Sequence, residues 1–148
     1  MLKKRLAVFV PSSKRMINVI LEFADIKKND VFYDLGSGDG RILVEAAKTG
    51  IKVFGIENDP LLNWIARRRV RKHENVSIIK GDIFKQDLSK ATVIVAYLSQ
   101  FLAERLQKKI KKEVKKNSRI ILVDHHFLNW KPIKEKKVGL IPIRLYIK

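Results

Sequence analysis

The sequence contains no cysteine among its 148 residues. Disulfides, thiolate metal sites and a cysteine nucleophile are thereby excluded together. Long apolar runs are also missing. The N-terminal run from Leu6 to Val10 stops at Pro11 and is too short for a signal-peptide core. No stretch approaches the roughly 20 apolar residues that a membrane-spanning helix needs. Internal repeats, linkers and low-complexity segments are absent. Acidic side chains are scarce: 15 Asp and Glu stand against 32 Lys and Arg, a formal charge of +17. Such a field attracts polyanions (nucleic acid, acidic proteins, anionic membranes) without choosing among them. What is present is a 46% hydrophobic fraction, enough to build a core. One domain over residues 1–148 is expected, as a soluble, cytoplasmic monomer.

The pattern along the chain alternates strands and helices. Ser12 and Ser13 are caps for a first helix with Met16, Ile17, Ile20, Leu21 and Ala24 on one face. Strands are predicted over residues 31–33, 52–56, 76–79, 92–97 and 119–123. A helix over 41–48 is closed by Gly50, and Asp59-Pro60 opens another that runs to about His73. Leu98, Leu102, Leu106, Ile110 and Val114 recur at every fourth position of a longer helix. Residues 134–148 read as two strands broken near 139–142, with no helix between them. The prediction is therefore an α/β, Rossmann-like, doubly wound sheet, mostly parallel and seven-stranded. An antiparallel C-terminal hairpin completes it, and helices cover both faces. Ligands in such sheets sit beyond the carboxyl ends of the strands. Asp34, Glu57, Asp82 and Tyr97 all fall there.

Between the first strand and its helix lies Asp34-Leu35-Gly36-Ser37-Gly38-Asp39-Gly40. A glycine loop lets backbone approach a ligand closely. Arg41 stands where a dinucleotide fingerprint needs its third glycine, and no Gly-Lys-Ser/Thr follows, so a P-loop is excluded. Asp34 and Asp39 bracket the loop. Carboxylates there repel a pyrophosphate but suit a ligand carrying an ammonium and a sulfonium, as S-adenosylmethionine does. Glu57 is placed to accept both hydroxyls of a ribose. Asp82 and Ile83 are placed for an adenine, one by accepting from its amino group, the other through a backbone N–H and an apolar face. Each residue also has a plain structural role open to it, as a cap, a turn residue or a solvated strand end.

These residues resemble the class I, seven-strand methyltransferases, whose first motif the segment 34–40 matches in full. The resemblance covers nearly the whole chain. A narrower likeness is to the archaeal broad-specificity protein lysine methyltransferases and their mitochondrial relatives. It is carried by Val10-Pro11-Ser12-Ser13, by residues 34–41, by Tyr97-Leu98, by Asp124-His125-His126-Phe127 and by Trp130-Lys131-Pro132. Ser99 and the second histidine, His126, depart from that pattern. The likeness implies S-adenosylmethionine as cofactor and lysine side chains of proteins as acceptors, nucleic-acid-associated proteins among them. Non-specific contact with nucleic acid is compatible with the charge. The helical segment within residues 1–30 is expected to pack over the cofactor site. The expected cofactor-binding set is Asp34, Gly36, Ser37, Gly38, Gly40, Glu57, Asn58, Asp82, Ile83 and Tyr97. Tyr97 is also the expected catalytic residue, and no metal is expected.

A lysine acceptor must be neutral to attack, and burial beside a sulfonium lowers its pKa, so a dedicated base is not obligatory. The fourth strand lacks Asn/Asp-Pro-Pro-Tyr/Phe, which lowers amino-directed DNA, RNA and glutamine methylation. Without cysteine, attack on cytosine carbon through a thiolate is excluded. Methylation of RNA at other atoms or of a small molecule stays open, as does a basic nucleic-acid-binding protein with a vestigial site. Trp64 is expected to pack, and Trp130 to close one edge of the acceptor side. The lysines of the long helix are expected to form a solvated face. Aromatic residues are not interleaved with the basic runs.

Overall fold

The computed structural model describes residues 12–148. Val10 and Pro11 lie outside the described residues, as does the rest of the segment expected to cover the site. Helix α1 (Lys14–Ala24) is capped by Ser13, whose Oγ accepts the Met16 amide at 3.2 Å. Asp25, in a left-handed conformation, ends it. Its apolar face, including Met16, Ile17, Ile20 and Phe23, is buried.

Seven strands form one sheet in the order β3-β2-β1-β4-β5-β7-β6. They are β1 (Val31–Leu35), β2 (Lys52–Glu57), β3 (Val76–Lys80), β4 (Val93–Ala96), β5 (Arg119–Val123), β6 (Lys134–Val138) and β7 (Ile141–Ile147). Only β7 runs antiparallel to its neighbours β5 and β6. The expected hairpin is therefore present, turning at Gly139 with φ 62°. The side-chain period of two divides the core into two clusters. Phe32, Val53, Val93, Val95, Ile121 and Val123 face α1, α2 (Arg41–Ala47) and α3 (Pro60–Arg69). Tyr33, Leu35, Ile56, Ile94, Ile120 and Leu122 face α4 (Gln100–Glu113).

Three details differ from the sequence expectation. Helix α3 stops at Arg69, about four residues early. Val70 caps it, and a turn closes with His73 donating to the Val70 carbonyl at 2.8 Å. Strand β4 ends at Ala96, and Leu98 precedes α4. Ser99 caps that helix, its Oγ accepting the Leu102 amide at 3.4 Å, which gives the family departure at this position a structural role. Val114 is the C-cap of α4. The stripe of Leu98, Leu102, Leu106, Ile110 and Val114 is nonetheless buried throughout.

No helix joins β5 to β6. Aromatic packing takes its place: Phe127 and Trp130 stack at 5.2 Å, and Tyr146 meets Phe127 at 4.7 Å and Trp130 at 5.4 Å. The buried Tyr146 hydroxyl accepts the Phe127 amide at 3.1 Å. Trp130 therefore packs against the α4 face of the sheet, a correction to its expected place at the acceptor edge. Two glutamines two turns apart on α4 fasten the same loop. The Gln100 amide group donates to the His126 carbonyl and accepts the His126 amide, at 2.8 and 3.2 Å. Gln107 does the same with Leu128, at 2.6 and 2.7 Å. No helix among the described residues is long and apolar enough to cross a membrane.

Candidate active site

The loop after β1 folds over the end of β2. The amides of Gly36 and Ser37 both donate to the Ile56 carbonyl, at 2.8 and 3.0 Å. Gly36, Gly38 and Gly40 have φ of 76°, 58° and 85°, the left-handed region that favours glycine. At Gly40 a Cβ would stand 3.1 Å from the Ala66 Cβ, so glycine also lets α2 start directly against α3. Gly55 fits under this loop for a related reason. A Cβ there would meet Leu43 Cδ1 at 2.5 Å and Ser37 Oγ at 2.8 Å. In the sequence Gly55 reads only as part of a strand, and a glycine inside a strand is the one signal of such a close approach.

Glu57 organises the site. Its Oε1 accepts the Gly38 amide and its Oε2 the Asp59 amide, both at 2.9 Å. Its carbonyl accepts Gly81 N–H at 3.2 Å and the Asn63 side-chain amide at 3.3 Å. The glycine loop, the start of α3 and the turn after β3 thus converge on one residue. Each carboxylate oxygen keeps lone-pair capacity for a further donor. Asn63 is buried and passes the connection on, accepting Arg67 Nε at 2.7 Å. Sequence reading missed it, because a polar residue in a helix carries no mark of burial.

Asp34 is buried, with 3% of its surface exposed. Burial pushes its carboxyl up to about 7, and repulsion from Glu57 adds to the shift. No hydrogen bond supports its charged form among the described residues. The neighbouring Ser37 Oγ is buried with no partner. A buried carboxyl and an unsatisfied hydroxyl under a glycine loop are groups arranged for a ligand, not for the fold. A ligand bearing an ammonium fits them, since it would compensate the paired acids.

Asp39 takes a different part from the one expected. Arg41 Nε holds its carboxylate at 2.8 Å and Arg69 reaches it at 3.4 Å. Its charge is matched within the protein, and Gly40, not Asp39, is the N-cap of α2. Asp82 follows β3 and caps the short turn Ile83–Lys85, its Oδ1 accepting the Phe84 amide at 2.9 Å. Ile83 packs partly buried against the α4-side core. Asn58 is exposed between β2 and α3.

Asp34, Ser37, Gly38 and Glu57 are brought together by β1 and β2, with Asp82 and Ile83 beside them through Gly81. Tyr97 lies on the other side of β1, beyond β4. It is half-buried, and burial followed by the charge of Asp124 raises its phenol, so it remains a neutral donor at ordinary pH. Asp124 sits just past β5 with φ 74°, its Oδ2 3.5 Å from His125 Nε2. His126 is exposed and engaged through its backbone. Among the described residues no group of three or more metal-ligating side chains occurs.

A 3-2-1-4-5-7-6 sheet with an unpartnered acid under a glycine loop, and a second acid closing β2, defines a class I S-adenosylmethionine-dependent methyltransferase. The ANTKMT methyltransferase domain model matches residues 34–134, and the chain belongs to that family. Its relatives include a protein-lysine N-methyltransferase of Saccharolobus islandicus (strain REY15A), 35% identical over 88% of this chain and 84% of that one. An ATP synthase lysine N-methyltransferase of Rattus norvegicus is 28% identical over 98% of this chain and 68% of its own. A crystal structure described as an RNA methyltransferase from Salinibacter ruber in complex with S-adenosyl-L-homocysteine superposes with a TM-score of 0.89. It is 32% identical and covers 93% of both chains.

Proposed function

We propose that this enzyme transfers methyl groups from S-adenosylmethionine to lysine side chains of proteins. The observation that carries the acceptor is the 35% identity, across most of both chains, with a protein named for that activity. When bound, S-adenosylmethionine supplies a methyl group on a positively charged sulfur. A neutral lysine amine forms the new N–C bond in line as the S–C bond breaks, and the proton on nitrogen leaves to water. The protein's part is positioning and exclusion of water. Asp34 binds the ammonium of the donor, with Gly36, Gly38 and Gly40 giving its backbone room and Ser37 Oγ supplying a polar contact. Glu57 and Asn58 face the ribose, while Asp82 and Ile83 face the adenine. Tyr97 orients the attacking amine through its phenol.

The cysteine-free chain is in keeping with a cytoplasmic setting. Its basic charge suits nucleic-acid-associated proteins as substrates. The test is cell extract incubated with methyl-labelled donor, then treated separately with protease and nuclease. Release of the label by protease, and methyllysine after hydrolysis, is the expected result. Release by nuclease alone makes RNA the acceptor and overturns the proposal.

A further inference from the structure

We propose that the outer face of α3 binds single-stranded nucleic acid, at a surface separate from the strand-end site. Trp64, expected to pack, is 57% exposed, and Leu61 one turn before it is 65% exposed. The Arg68 guanidinium carbon lies 5.0 Å from the centre of the Trp64 ring. An open groove of about 540 Å³ runs past Trp64, Ile65, Arg68, Arg69, Arg71 and Lys72. The expectation that no aromatic is interleaved with the basic runs is therefore corrected: the helix places an indole among them.

The basic side chains here divide into two groups. Arg67 turns inward, donating to Asn63 at 2.7 Å and to the Ile78 carbonyl at 2.8 Å. Arg69 reaches Asp39. Arg68, Arg71 and Lys72 are exposed, and none of them forms an ion pair among the described residues. Helix α3 itself contains no Asp or Glu. Trp64, Arg68 and Lys72 recur at every fourth position, on one face. A face that served only for solubility would not expose a tryptophan, whose burial stabilises a fold by roughly 2–3 kcal/mol. The exposed lysines of α4 and its C-terminal end (Lys108, Lys112, Lys115 and Lys116) form the plainer solvated surface that was expected.

The chemistry selects the occupant. Guanidinium forks match phosphate oxygens, and an indole beside a planar guanidinium offers a platform for an unpaired base. Duplex DNA keeps its bases stacked inside. An acidic peptide satisfies the cations but presents nothing planar to Trp64. Such a surface would hold the enzyme close to nucleic-acid-bound proteins.

Anisotropy of a labelled 12-nucleotide oligouridylate tests this in the full chain, over about 50–200 mM salt. A duplex DNA of equal length is the comparison, and polyglutamate the competitor. The single strand is expected to bind more tightly than the duplex. Trp64→Ala is expected to weaken it about five-fold or more, and Trp64→Phe to retain most of the affinity. Arg68→Ala/Arg71→Ala/Lys72→Ala is expected to lower the salt slope by about two. Wild-type-like binding by Trp64→Ala, equal or tighter duplex binding, or displacement by polyglutamate at equal charge would each overturn the proposal. S-adenosylmethionine binding and protein labelling are measured on the same variants and should match wild type. If the wild-type chain labels no protein yet binds RNA through this face, the acceptor reading fails and this one stands.

Discussion

Glu57 accepts the Gly38 amide at 2.9 Å from nineteen residues away, so the end of β2 holds the glycine loop that follows β1. The same carboxylate caps the approach to α3 through the Asp59 amide. Ribose binding and loop order are therefore expected to depend on one side chain. Glu57→Ala should weaken S-adenosylmethionine binding by at least about ten-fold in calorimetry and lower stability by about 1–2 kcal/mol. Glu57→Gln keeps acceptor capacity on one oxygen only and should fall between. Wild-type affinity in Glu57→Ala would remove Glu57 from the cofactor site.

Asp34 sets a pH dependence. Its folded carboxyl titrates near 7, above the ordinary carboxylate value. The folded protein therefore holds a proton that the unfolded chain has lost. Stability of the ligand-free enzyme should fall as pH rises from about 4 to 7, by as much as about 4 kcal/mol. Asp34→Asn should be the more stable protein at pH 8 and bind the donor poorly. Donor affinity of the wild type should rise from pH 6 to pH 8, with proton release at pH 6.5. A flat affinity across that range would show that no ammonium meets this carboxylate.

How far the sequence revealed this site depended on the kind of signal. Asp34, Glu57 and Asp82 were legible because strand ends can be found from apolar runs, and an acid after an apolar run is conspicuous. The seven strands followed from the same runs. What stayed hidden was side-chain pairing across the fold. Nothing in the sequence ties Asp39 to Arg69, thirty positions later, or turns Trp64 outward while Asn63 beside it is buried. The Gln100 and Gln107 contacts were equally invisible, since an amide on a helix reads as surface.

Gly55→Ala tests the close approach beneath the loop. The added methyl meets Leu43 and Ser37 inside 3 Å. A loss of about 1–3 kcal/mol in thermal or denaturant unfolding is expected, with weakened donor binding. A variant of unchanged stability would mean that the loop lifts freely.

Gln107 should affect the acceptor side without touching the donor. Gln107→Leu leaves the Leu128 amide and carbonyl without their partners, at a cost of about 1–3 kcal/mol. KM for a protein substrate should rise while donor affinity stays within about two-fold. A change in donor affinity alone would place the loop's influence elsewhere.

Tyr97→Phe should lower kcat by about ten-fold and leave donor affinity nearly unchanged. Because burial and Asp124 keep the phenol protonated, the wild-type rate should show no loss through tyrosine ionisation up to pH 9. A fully active Tyr97→Phe would reduce this residue to packing.

Strand β6 forms one outer edge of the sheet, and four of its five residues are Lys134, Glu135, Lys136 and Lys137, all exposed. An open edge invites another chain to add a strand. Here a second copy docking edge to edge would bring lysine ammoniums against lysine ammoniums. Repulsion rather than cover guards that edge from fibre-like self-pairing, and the guard weakens as salt screens it.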